Sequence, residues 1–154
     1  ALSLATSLNI KNLETLFLDS NPIGPEGAEA LARSTCLPSL TALHMDSTGI
    51  GDQGVKAIAA SQTLSKIKKL YLCSNKIGDE GAIALSQSPN LSHLTCLSIW
   101  RNEIRDAGGK AIAESNHFLK LERLYMSLNL IEKPTRKLIR ASDMASRLKT
   151  LVMD

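Results

Sequence analysis

The sequence predicts an α/β solenoid. Each unit reads strand, turn, helix and loop. Stacked in register, the strands form a parallel sheet on a concave face, and one helix per unit lines the convex face. Three observations predict this architecture. Leu13, Leu40, Ile67, Leu94, Leu121 and Leu148 stand 27 residues apart, and a period in this range marks stacked supersecondary units. Within each block, apolar residues first alternate with polar ones and then recur at helical spacing. Aromatic residues make up only 3% of the 154 residues, so the core has to be built from thin layers of Leu, Ile and Ala.

The third block shows the elements in order. Leu70 and Leu72 alternate with polar neighbours, as in a strand with one buried face. Asn75 follows, and its side chain is expected to bond backbone groups of neighbouring coils where the chain leaves the strand. Asn21, Asn102 and Asn129 fill the same place, whereas the second block has Thr48. Two residues later every complete block has an isoleucine (Ile23, Ile50, Ile77, Ile104, Ile131), which predicts a buried position filled alike in each layer. Gly81, Ala84, Leu85 and Ser88 then mark one helical face. Asp79 is the expected N-cap and Pro89 the expected stop. The inward face is small, with Gly27, Gly54, Gly81 and Gly108 in one column and Ala30, Ala57, Ala84 and Ala111 in the next. A serine closes each block's helical face (Ser34, Ser61, Ser88, Ser115, Ser142). Its hydroxyl is expected to bond a carbonyl in the preceding turn of its own helix.

The frame is a single array over 1–154. It holds a partial unit at 1–12, full units at 13–39, 40–66, 67–93, 94–120 and 121–147, and a final strand at 148–154. Cut in mid-unit at both ends, it is expected to be a segment of a longer protein, or to self-associate through its exposed terminal repeats. The fifth unit departs from the rest. Glu132 and Thr135 stand where glycines recur, Pro134 enters the first helical turn, and Leu138 replaces the small Ala, either pushing the helix outward or filling a gap. Charge is uneven too. Residues 1–120 carry 11 basic and 11 acidic groups, whereas 121–147 carry six basic and three acidic ones. That unit reads as a cap, a domain junction or a second contact surface. The excess is small and no aromatic is interleaved with it, so no nucleic-acid partner is expected.

No apolar run approaches the length of a membrane span, and no signal peptide is visible. Cys36, Cys73 and Cys96 form neither a C-x-x-C motif nor an even framework, which points to a reducing compartment and a cytoplasmic location. A Cys73–Cys96 disulfide is not expected, because the two fall in different columns of adjacent strands. His44, His93 and His117 do not pair with Cys or carboxylate at ligand spacing, and there is no Gly-rich phosphate loop. Asp19 and Asp46 would lie side by side, but two carboxylates are few for the oxygen cage calcium prefers. The chain is therefore expected to be non-catalytic, with no cofactor and no metal.

The segments Leu16-Phe17-Leu18-Asp19-Ser20-Asn21-Pro22-Ile23-Gly24 and Leu70-Tyr71-Leu72-Cys73-Ser74-Asn75-Lys76-Ile77-Gly78 resemble leucine-rich repeats of the ribonuclease-inhibitor type. The resemblance covers essentially the whole chain. It implies an intracellular horseshoe or arc that binds proteins. The group includes ribonuclease inhibitors, activators of small-GTPase hydrolysis, sensor arrays of innate-immune receptors and bacterial effectors delivered into host cytosol. The uniform repeat length is more similar to the bacterial arrays. By resemblance, two other roles stand beside a binding module: a structural or sensor segment of a larger receptor or effector, and a regulator of small-GTPase hydrolysis, for which Arg101 is the one candidate.

The strand pattern also predicts which side chains line the concave face. The central column reads Phe17, His44, Tyr71, Ser98, Tyr125, Val152. The next outward column reads Asp19, Asp46, Cys73, Trp100, Ser127, Asp154, and the preceding one Thr15, Ala42, Lys69, Cys96, Arg123, Thr150. Four of the five aromatics fall here: Phe17, Tyr71, Trp100 and Tyr125. Phe118, in a Leu column, is expected in the core. Val or Thr would satisfy the same strand propensity, whereas Trp, Tyr and Arg dominate binding hot spots. Charge is graded along the face, from Asp19 and Asp46 to Lys69, Arg101 and Arg123, which would orient a partner of complementary polarity. These residues are the expected partner-binding set.

Overall fold

The computed structural model describes residues 1–154. Six strands, β1 (Thr15–Phe17), β2 (Ala42–His44), β3 (Lys69–Tyr71), β4 (Cys96–Ser98), β5 (Arg123–Tyr125) and β6 (Thr150–Val152), form one parallel sheet in chain order. Each residue pairs with the one a full repeat later: Leu16 with Leu43, Leu43 with Leu70, and onward to Leu151. After a short α1 (Leu2–Ala5), each strand but the last leads to a convex helix. These are α2 (Gly24–Arg33), α3 (Gly51–Ala60), α4 (Asp79–Ser86), α5 (Asp106–Ala113) and α6 (Lys133–Arg140), and a short α7 (Asp143–Arg147) follows α6. Single 3-10 turns lie at Leu8–Ile10 and Pro89–Leu91.

The aliphatic layers stack as columns between sheet and helices. Leu16, Leu43, Leu70, Leu97 and Leu124 are buried, as are Met45, Leu72, Ile99, Met126 and Met153 behind them. Ile50, Ile77, Ile104 and Ile131 fill the recurrent isoleucine position. Ile23, in the first coil, is only partly buried. Phe118 lies in the core as expected. Such columns carry most of the stability, since one coil cannot bury its apolar face without its neighbours.

The polar groups knit the coils together, and here two expectations need correction. Asp79 is not the N-cap of its own helix. Gly78 holds that place without a side-chain bond, and Asp79 lies in the first turn of α4. Its carboxylate reaches across to the next coil, where Oδ1 accepts from the N–H groups of Arg105 and Gly108 at 2.8 Å, the cap and third residues of α5. Asp52 serves α4 in the same way, through Gly78 and Gly81, and Asp106 accepts from Glu132 ahead of α6. Each acid thus satisfies orphan donors of the following helix. The later two members of the glycine column follow from this, whereas at Gly27 and Gly54 a Cβ would meet Ile23 and Ile50 at 2.6 Å. A Cβ at Gly81 would stand 2.5 Å from Asp52 Oδ1, and one at Gly108 2.6 Å from Asp79 Oδ1.

The serine column is corrected likewise. Ser34, Ser61, Ser88 and Ser115 do not bond back into their own helices. They donate to Ala5, Ala32, Ala59 and Ser86, the C-terminal carbonyls of the preceding coil's helix, at 2.5–2.6 Å. Only Ser142 donates within its own helix, to Ile139, while its oxygen caps α7 at Ala145. Asn75, Asn102 and Asn129 bond neighbouring coils as expected, whereas Asn21 bonds only to Leu18 and Asp19 of its own coil. Asn102 Oδ1 accepts from Asn75 and Ile77, and its amide donates to Leu72 and Ile99.

In the fifth coil Thr135 occupies the glycine column and is buried. Leu138 fills no gap, since its side chain is 61% exposed.

Candidate functional site

Because a strand's side chains alternate between faces, the middle leucine of each three-residue strand points to the core and its flanking residues face the concavity. The register places the columns as read from the sequence. Phe17, His44 and Tyr71 form a continuous stack. The Phe17 and His44 rings are 4.2 Å apart and tilted by 31°, and His44 and Tyr71 are 4.2 Å apart and nearly parallel at 12°. Phe17 is 66% exposed at the open end of the stack.

Ser98 ends the stack. It is buried, and its hydroxyl contacts Cys73 Sγ at 3.0 Å. The missing ring opens a cavity of about 250 Å³ lined by Ser98, Trp100, Tyr125 and Val152. Trp100, at 41% exposure, offers indole surface at its rim. The concave face therefore carries two aromatic features, a stack over β1–β3 and a notch over β4–β6.

The charged candidates separate into two kinds. Asp19 and Asp46 each commit an oxygen to the next coil: Asp19 Oδ1 accepts from Asp46 N–H and Asp46 Oδ1 from Cys73 N–H, both at 2.7 Å. Asp154 does the reverse, accepting from Leu128 in the coil before it. Lys69 and Arg101 are exposed and Arg123 half-buried, and none of the three forms an ion pair. The flanking columns do not stand uniformly on the surface, for Ala42, Cys73 and Cys96 are buried. All three cysteines are free. Burial pushes the Cys73 thiol up, which disfavours the reactive thiolate. Burial, followed by the bond from Cys96, pushes the Tyr71 phenol up.

Sequence reasoning missed one feature of this rim. Ser20, Ser47, Ser74, Arg101 and Leu128, at one repeat position, all have φ between 53° and 60°. A short polar side chain fits such a left-handed turn more readily than a long one does. The replacement of Ser by Arg101 and Leu128 in that column was the available signal. No cluster of three or more metal-ligating side chains is present.

The sequence model of the leucine-rich repeat matches residues 9–32, 36–59, 63–86 and 90–113, four segments in phase with the 27-residue period. The chain belongs to the leucine-rich-repeat family. Members of this family are generally non-catalytic modules of protein–protein interaction. Among solved structures, the array is similar to leiomodin-1 actin-binding site 2, with a TM-score of 0.56 and 16% identity over 99% of this chain and 76% of that one. It is also similar to an internalin from Listeria monocytogenes, with a TM-score of 0.55 and 20% identity over 96% of this chain and 44% of that one. At these identities the likeness is one of fold. No curated protein matches the sequence significantly. No helix of this leucine-rich-repeat array is long and apolar enough to cross a membrane.

Proposed function

We propose that this array is a recognition module that holds a protein partner on its concave face. The observation that carries the reading is the aromatic path from the Phe17–His44–Tyr71 stack to the notch at Trp100 and Tyr125. These rings contribute little to an aliphatic core, and aromatic anchors of this kind contribute about 2 kcal/mol or more each to binding. Lys69, Arg101 and Arg123 flank the path without acidic partners, which favours a partner with carboxylates beside its apolar contacts. One helix per repeat and three free, buried thiols suit the ribonuclease-inhibitor-like subtype and a reducing compartment.

The test is capture of a partner by the wild-type array beside the Tyr71→Ala/Trp100→Ala double variant. Neither side chain is part of the buried core, so the variant should keep the circular dichroism and melting behaviour of the parent. Binding should fall by a factor on the order of a thousand. Unchanged binding by a folded double variant would remove the aromatic path as the site.

A further inference from the structure

The helix of the fifth coil carries a second feature that concave binding does not use. Lys133, Arg136, Lys137 and Arg140 fall at i, i+3, i+4 and i+7 of α6, which is a single helical stripe. No acid lies within α6, and the molecule's ion pairs join Arg33 to Glu29, Lys56 to Glu80 and Lys149 to Glu122, so none involves the stripe. Arg140 donates to the Met153 carbonyl, and Arg136 acts on the Asp154 carboxyl from beyond ion-pair distance. Glu132 and Asp143, just outside the helix, pair with none of the four.

Comparison with the inner helices shows how unusual the stripe is. The position of Arg136 is held by Ala28, Val55, Ala82 and Gly109, and that of Arg140 by Ala32, Ala59, Ser86 and Ala113. All eight are buried against neighbouring coils. Two arginines stand where the inner helices have small or aliphatic residues in close contact. The helix start is reversed as well. Each of α2 to α5 has an acid in its first turn, whereas α6 has none and opens on Lys133, against the helix dipole. The like-charge pairs Lys133/Lys137 and Arg136/Arg140 oppose the isolated helix further. Beside the stripe, Pro134 and Leu138 are exposed one turn apart.

We infer that α6 is a second docking surface, and that its occupant is an acidic protein segment whose carboxylates meet the Lys133–Arg140 stripe while an apolar residue covers Leu138. Charge complementarity selects the acid. The exposed leucine, with no aromatic among the cations, favours a polypeptide over nucleic acid, whose bases would stack on rings. The surface lies on the side of α6 turned away from coil 4 and is separate from the concave face.

The test is fluorescence anisotropy with a labelled synthetic peptide rich in Glu and carrying leucines at helical spacing. The wild-type array should bind it saturably, and more weakly as salt rises. Lys133→Glu/Lys137→Glu should weaken binding at least about tenfold, and Leu138→Ser by about threefold to tenfold. Both variants alter exposed side chains, and circular dichroism should show them folded. Tyr71→Ala/Trp100→Ala should bind the probe like the parent, which separates this surface from the concave one. The inference is overturned if the parent shows no saturable binding or if the charge-reversed variant binds equally well. It is also overturned if duplex DNA or anionic phospholipid vesicles bind α6 as tightly as the peptide.

Discussion

The junction between coils 1 and 2 and the junction between coils 3 and 4 follow the same backbone path but are joined by different groups. Between coils 3 and 4, Asn102 links the two turns through four backbone groups and Asp79 caps the next helix. Between coils 1 and 2 both devices are absent. Thr48 stands where an asparagine would reach back to coil 1, and Pro25 stands where an aspartate would reach forward to α3. Gly24 and Gly51, which open α2 and α3, then take left-handed conformations, whereas Gly78 ahead of α4 is extended, with its N–H on Asp52. The first junction is instead held on the concave rim by Asp19. Rim, turn and helix bonds are not exclusive, since coils 2 and 3 are joined by Asp46 on the rim, Asn75 in the turn and Asp52 at the helix start, whereas coils 3 and 4 lack the rim bond and have Cys73 and Trp100 in that column.

The largest test sets Asn102→Ala, at a residue that bonds across coils, against Asn21→Ala, at one that bonds only to Leu18 and Asp19 of its own coil. Loss of Asn102 leaves buried N–H and carbonyl groups unpaired and should cost about 3 kcal/mol or more in urea unfolding. Loss of Asn21 should cost under about 0.5 kcal/mol. Equal costs would show that the bonds of Asn102 across coils add nothing to its local one. Asp79→Ala comes next. It removes the acceptor for Arg105 and Gly108 and should destabilise by about 1–2 kcal/mol, with amide exchange quickening in the first turn of α5 rather than α4. Exchange confined to α4 would contradict capping across coils.

Smaller effects sharpen the same comparison. Arg101→Gly relieves a left-handed arginine at φ 56° and should raise stability by about 1 kcal/mol. Weaker partner binding by this more stable variant would show that the guanidinium is retained for recognition. Pro25→Asp offers the second coil the cap it lacks. It should raise the melting free energy by about 0.5 kcal/mol if the Gly51 turn can become extended like Gly78. A loss of stability would show that the left-handed turn at Gly51 is a settled alternative.

Much of the fold was legible because the repeat is its own alignment. Columns taken from Leu13 to Leu148 placed every strand in its observed register, put Phe118 inside and brought Phe17, His44 and Tyr71 to one face. The partners of the polar side chains were not legible. A serine at a helix end finds equivalent carbonyls in its own coil and in the one before, and the sequence ranks them equally. Ser98 was the corresponding gap at the site. One small residue in an aromatic column was visible, but not that its burial against Cys73 would open a cavity beside Trp100.

The sequence by itself determined the period and the aliphatic columns of the core, because burial of aliphatic side chains acts over whole layers and tolerates small shifts. Only the tertiary structure decided which coil each Asp, Asn and Ser serves, and where the rings meet. Hydrogen bonds and ring stacking act over a few tenths of an ångström, and that distance is set by how closely one coil lies on the next.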